Sequence, residues 1–83
     1  FIGCNGVSVD GITNSSMPEV MMKKRFMESS RRRVVVADSS KIGKTQLARV
    51  APLEAVDLLI TGVETPEVHL APLREAGVAI QQV

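Results

Sequence analysis

The stretch that decides the fold is Val34-Val35-Val36-Ala37-Asp38-Ser39-Ser40-Lys41-Ile42-Gly43-Lys44-Thr45. Its four opening apolar residues are continuous rather than alternating, which predicts a strand buried on both faces, the habit of parallel sheets covered by helices. The run then breaks into a carboxylate, two hydroxyls and an ammonium. In open α/β sheets, ligands bind beyond the carboxyl ends of the strands, so these side chains stand where a polar anion would be gripped. Lys41 can meet a phosphate as a point charge, and the hydroxyls of Ser39 and Ser40 can donate to its oxygens. Asp38 can orient Lys41 or accept from ligand hydroxyls. The same residues also describe a polar turn capped by Asp38, and spacing alone leaves both readings open.

Working outward, Leu58-Leu59-Ile60 and Val78-Ala79-Ile80 are two further continuous apolar runs, and Phe1 to Cys4 reads as the middle of a buried strand. The segments between them look helical. Ser16, Met17, Pro18 and Glu19 form a capping-box pattern, followed by a helix from about residue 17 to about residue 30. A second helix is expected with Thr65 as N-cap, Pro66 in the first helical position and Gly77 as its stop. Strand, helix, strand, helix, strand is an α/β order with parallel pairing as its usual consequence. No linker or internal repeat divides the chain.

The first helix places Met17, Val20, Met21 and Met27 on one side and Met22 and Phe26 on another. A helix so patterned wants apolar partners on two sides: its own sheet, and either a second part of the domain or a second subunit. Loose packing by flexible methionines is the plainer account. Lys24 lies within the apolar stripe, where it must snorkel or find a partner. Arg31, Arg32 and Arg33 complement the negative pole at the helix end, and His69 is expected at the edge of the core. Pro72 falls inside the second helix, where it costs about 3 kcal/mol, so a kink or a later start is expected.

Composition narrows the class. With 45% hydrophobic and 23% charged residues the chain is globular rather than disordered. Ten Lys and Arg against nine Asp and Glu leave a charge of +1, which argues against DNA phosphates as the direct partner of this segment. One cysteine and one histidine build neither a disulfide nor a metal site, and no cofactor is expected. No apolar run reaches the roughly 20 residues that cross a bilayer, and the N-terminal residues lack the pattern of a signal peptide. A cytoplasmic location is expected. Because the chain opens on Phe1, strand-like from its first residues, it reads as starting partway through a domain.

Two nucleotide signatures fail on inspection. Gly43-Lys44-Thr45 resembles the end of a Walker A loop, but that loop needs a glycine five positions before Gly43, where Asp38 would repel phosphates. Gly3-Cys4-Asn5-Gly6 is GxxG rather than GxGxxG, so the dinucleotide fingerprint is absent. Glycines at a strand end nevertheless let backbone N–H groups approach a ligand. Cys4 has no base beside it in sequence and is expected to be a small buried residue.

Phe1 to Gly6, Gly11 to Thr13, the helix with Lys24-Arg25-Phe26-Met27, the run Val35 to Gly43, and Leu59-Ile60-Thr61 together resemble the effector-binding domain of the DeoR family of bacterial transcription repressors. The most specific element is Asp38-Ser39-Ser40-Lys41 after an apolar strand. The resemblance implies an α/β fold, a Rossmann-like, mostly parallel sheet with flanking helices, similar to ribose 5-phosphate isomerase and to the CoA-transferases. It implies that residues 1–83 are the C-terminal portion of a sensor domain, with the DNA-binding helix-turn-helix outside the chain. It further implies a phosphorylated sugar as effector, homo-oligomerisation, and a pocket formed by Asp38, Ser39, Ser40 and Lys41 with Asn5 and Gly6 from the neighbouring strand end. Gly62 stands where the family usually carries Asp, which puts that carboxylate's role in question.

The alternative is an isomerase or CoA-transferase-like enzyme of the same fold. The isomerases, however, carry an acidic segment where this chain has Gly3 to Gly6 and a catalytic glutamate roughly where Lys24 stands. Without a carboxylate base, aldose–ketose proton transfer has no agent. The expectation is therefore a pocket without catalytic residues.

Overall fold

The computed structural model describes all 83 residues. Four strands, β1 (Ile2–Gly3), β4 (Val34–Val36), β6 (Leu58–Thr61) and β7 (Ile80–Gln82), form a parallel sheet in the order β1-β4-β6-β7. β4, β6 and β7 are the continuous apolar runs of the sequence, although the last begins at Ile80 rather than Val78; the buried strand expected at Phe1 to Cys4 is only the two-residue β1, with Phe1 exposed because no neighbouring element covers it. Val35 and Leu59, at the sheet's centre, are fully buried, but Val34, Leu58 and Ile60 are only partly buried and Val36 is exposed. One face of the sheet is therefore covered and the other stays partly open, not the burial on both faces that the apolar runs predicted. The register pairs Ile2 with Val35 and Val35 with Leu59, so all four strands end at one edge.

A second sheet was not foreseen. β2 (Gly6–Ser8), β3 (Gly11–Asn14) and β5 (Ala48–Ala51) pair antiparallel in the order β2-β3-β5. Polar Ser8, Thr13 and Asn14 are buried in this unit, so hydrophobic periodicity could not reveal it. The tight turn between β2 and β3 closes through Gly11, at φ +112°, and a side chain there would run into the carbonyl of Ala51.

Helix α1 (Met17–Ser29) packs on β3 and β5 through Val20 and Met27. The expected capping box does not form. Ser16 is the N-cap but its side chain caps nothing, and Glu19 instead accepts a 3.1 Å hydrogen bond from Asn14 Nδ2. Met17 and Met21, expected on the core side, are half exposed, as are Met22 and Phe26. Nothing within the 83 residues covers that outer face. At the helix end, Arg33 folds back so that its Nε donates to the carbonyl of Met27 at 2.5 Å, the complement to the negative pole that the arginine run predicted.

Helix α2 (Glu67–Glu75) starts one residue later than expected, with Pro66 as N-cap. Thr65 is drawn away from capping because its hydroxyl pairs with that of Thr61 at 2.9 Å, both buried. The helix continues through Pro72 to a stop at Gly77, which adopts φ +95°. Leu70 and Leu73 anchor it in a single core shared with Val7, Ile12, Val20, Val35 and Leu59. No helix is long and apolar enough to cross a membrane.

Candidate ligand site at the strand ends

Because the main sheet is parallel, Cys4 and Asn5 after β1, Ala37 and Asp38 after β4, Gly62 after β6 and Val83 after β7 all emerge at its carboxyl edge. The chain from β4 does not leave this edge at once. It makes a 3-10 turn over Ser39–Lys41, capped by Asp38, whose Oδ1 accepts from Ser40 N at 2.9 Å and from the Ser40 hydroxyl. These two bonds, helped by the ammonium groups of Lys41 and Lys44, hold the Asp38 carboxyl below its ordinary value. Lys41 Nζ lies 3.5 Å from Ser40 Oγ rather than in an ion pair with Asp38. Asp38 thus caps the turn, and the Ser40 hydroxyl is spent inside it. The hydroxyl of Ser39 has no partner within the protein.

The turn is fastened from below. Gly43 N donates to Val7 O at 2.7 Å, and Gln46 N donates to Thr13 Oγ1 at 2.9 Å, tying the loop to the second sheet. Gly43 takes φ +86°, with the His69 ring of α2 packed where a side chain would begin. His69 is an exposed residue against this loop rather than an edge-of-core one. Gly6 is buried, and a Cβ there would overlap the carbonyl of Lys44. Its lack of a side chain is what lets the loop sit against β2.

Asn5 is largely committed to the framework. Its Oδ1 accepts from Asn14 Nδ2 at 2.9 Å, from Ser15 N at 3.0 Å and from Ser15 Oγ at 3.2 Å, which leaves the amide nitrogen as its free donor. Asn14, fully buried, passes the network on by accepting from Lys23 Nζ at 3.3 Å and donating to Glu19. Sequence reasoning missed Lys23. Its signal was positional: three residues after Val20 and four before Met27, Lys23 shares their inward face. Lys24, placed in the apolar stripe by the sequence, is exposed instead.

Cys4 registers the charges around it. Burial pushes its thiol up, while the ammonium groups of Lys23 and Lys41 act against that shift and the Asp38 carboxylate adds to it. A thiol so raised stays protonated and is a poor nucleophile. It is a small buried residue, as expected, under a rim that carries Lys23, Lys41 and Asp38. No set of His, Cys, Asp and Glu residues is grouped to hold a metal.

Beside this rim, a hollow of about 200 Å³ opens between the ends of β4 and β6, lined by Val36, Asp38, Ile60, Gly62, Glu64 and Val83 among others. Two larger hollows, each about 340 Å³, lie away from the strand ends: one beneath α1 against Val50 and Pro52, the other on the outer methionine face of α1. Neither gathers the hydroxyls, amide donors and cations that meet at the sheet edge.

Comparison with known proteins agrees with this architecture. Residues 1–63 match the family described as the DeoR C terminal sensor domain. The HTH-type transcriptional regulator GlpR of Haloferax volcanii is 33% identical over 81 residues, covering 96% of this chain and 32% of the regulator. A putative aga operon transcriptional repressor of Escherichia coli O157:H7 is 28% identical over 81 residues, covering 96% of this chain and 30% of its own length. The HTH-type transcriptional repressor GlcR of Bacillus subtilis is 37% identical over 61 residues, covering 74% of this chain and 24% of the repressor. The chain spans about a third or less of the length of these relatives. They are regulators of transcription, and the enzyme reading finds no support among them.

Proposed function

The chain belongs to the DeoR C-terminal sensor domain family, and on that premise we propose that it is the C-terminal portion of the effector-sensing domain of a longer, cytoplasmic, oligomeric DNA-binding repressor. The effector is a phosphorylated sugar. Its phosphate is met by Lys41, the free Ser39 hydroxyl and the Asn5 amide nitrogen, with Lys23 and Lys44 adding positive charge. Gly6 keeps the loop seated on β2. DNA is read by a helix-turn-helix outside these residues, in keeping with the +1 charge of the segment.

The observation that carries this reading is the convergence at one sheet edge. Lys41 sits on the capped turn that follows β4, and Lys23 on α1 donates to Asn14, which is itself bonded to Asn5 at the end of the neighbouring β1. Two ammonium groups at adjoining strand ends favour an anion, and a phosphate satisfies several donors at once. Asp38 is committed through Oδ1 to the turn it caps.

The mechanism is linkage. Sugar phosphate favours one arrangement of the domains over another, and a coupling of about 1 to 3 kcal/mol changes operator affinity 5- to 150-fold. The test is Lys41→Ala in the full-length protein, titrated by calorimetry with ribose 5-phosphate, glucose 6-phosphate and fructose 6-phosphate. Loss of a charge-assisted contact of about 1.5 to 3 kcal/mol weakens binding at least tenfold. Unchanged binding, or an unchanged release of operator DNA, would show that Lys41 is not in the pocket.

A further inference from the structure

The hollow between β4 and β6 contains a carboxylate that neither the fold nor the phosphate contacts use. Glu64 lies in the short turn between β6 and α2, and its carboxylate stands directly over Gly62: a Cβ on residue 62 would overlap both carboxylate oxygens. Glu64 is solvent-exposed at the mouth of the hollow, and since the protein's ion pair is between Arg74 and Glu67, its carboxylate has no cationic partner and no bonded protein donor. A carboxylate is an acceptor only and can take hydrogen bonds from more than one hydroxyl.

The turn that carries Glu64 is held from several directions. Thr65 N donates to Gly62 O at 3.2 Å, Val63 N donates to Val83 O at 3.0 Å, and the buried hydroxyls of Thr61 and Thr65 meet at 2.9 Å. The side-chain amide of Gln82 on β7 donates to Gly62 O at 3.2 Å. Asp38 lines the same hollow from the β4 side, and its Oδ1 alone is committed to the turn. The sheet edge is therefore divided. Its β1 and β4 side carries the cations and Ser39, and its β4 and β6 side carries two carboxylates over an apolar floor of Val36 and Ile60. A ligand that fits both is anionic at one end and hydroxylated along its chain.

We propose that Glu64 is a specificity-determining residue of this site, accepting hydrogen bonds from the hydroxyls of a phosphorylated polyol or sugar through space that only a glycine at position 62 leaves open. The inference rests on the phosphate reading above and deepens it. Lys41 holds the phosphate whatever is attached to it, whereas Glu64 reads the attached chain.

The test compares two kinds of probe on the full-length protein: the three sugar phosphates named above, and n-butyl phosphate, which has the anion but no hydroxyls. Glu64→Ala weakens the sugar phosphate that binds best about tenfold, the scale of one charge-assisted hydrogen bond, and leaves butyl phosphate unchanged or slightly tighter. Gly62→Ala does the same by displacing the carboxylate, and since Gly62 is not in the left-handed region the substitution leaves the backbone unstrained. An unchanged melting temperature in both variants separates recognition from folding. Glu64 is not a reader of hydroxyls if Glu64→Ala leaves the sugar phosphate unaffected, or weakens butyl phosphate equally. Wild-type binding of butyl phosphate with no preference for sugars overturns the Glu64 role while sparing the phosphate site, and binding of none of the probes overturns both.

Discussion

At the scale of single residues, Asp38 is a candidate ligand group that also caps a turn. Its Oδ1 takes both the amide and the hydroxyl of Ser40, and this lowers the carboxyl from its ordinary value of 3.8. A carboxyl lowered by folding supports the turn above its ordinary pKa, and that support is lost as pH falls through the lowered folded value. In an NMR titration the Asp38 carboxyl carbon should change below pH 3.8, and Ser40→Ala should bring the midpoint back up towards it. A wild-type midpoint at or above 3.8 would contradict the cap. Lys23, by contrast, is a helix cation that reaches inward to Asn14. The sequence placed Lys24 there because neighbouring methionines were counted as core, and the exposure of Met17 and Met21 shifts the true inward face to Val20, Lys23 and Met27.

At the scale of elements, the parallel strands were legible as the continuous apolar runs Val34 to Ala37 and Leu58 to Ile60, although burial alternates along them, with Val35 and Leu59 buried while Val36 is exposed and Ile60 half-buried. The antiparallel β2-β3-β5 sheet was not. Its residues Ser8, Thr13 and Asn14 are buried by hydrogen bonding rather than by hydrophobicity, and β5 joins from a distant part of the chain. The candidate site was half legible for the same reason. Asp38 to Lys41 follow an apolar strand and declare themselves, whereas Lys23 and Glu64 reach the sheet edge only through helix register and a glycine's missing side chain. Helix α2 lends itself to a direct test of element strength. Pro72 is exposed and deprives the Val68 carbonyl of its i→i+4 donor. Pro72→Ala should stabilise the domain by about 2 kcal/mol, the helix-interior gain less the entropy returned to the unfolded chain. Urea unfolding of the full-length protein, followed at this domain's transition, measures it. Destabilisation would mean that Pro72 terminates or shapes the helix rather than interrupting it.

At the scale of the whole molecule, a Cα radius of gyration of 11.5 Å matches the roughly 12 Å of a compact unit of this length. The unit is nearly neutral and gathers its donors at one sheet edge, so on the proposed reading effector chemistry and DNA chemistry belong to different parts of a longer protein. Such a separation makes a quantitative demand. If the effector changes operator affinity by some factor, bound operator must change effector affinity by the same factor, because both reflect one coupling free energy. Calorimetric titration of the full-length protein with its best sugar phosphate, with and without saturating operator, should give two dissociation constants whose ratio equals the shift in operator affinity measured at saturating sugar phosphate. Lys41→Ala should leave operator affinity unchanged when no effector is present, since it removes an effector contact and no DNA contact. A change in that basal affinity would place the capped turn in the coupling between domains rather than only in the pocket, and unequal ratios would rule out linkage between a single effector site and a single operator site.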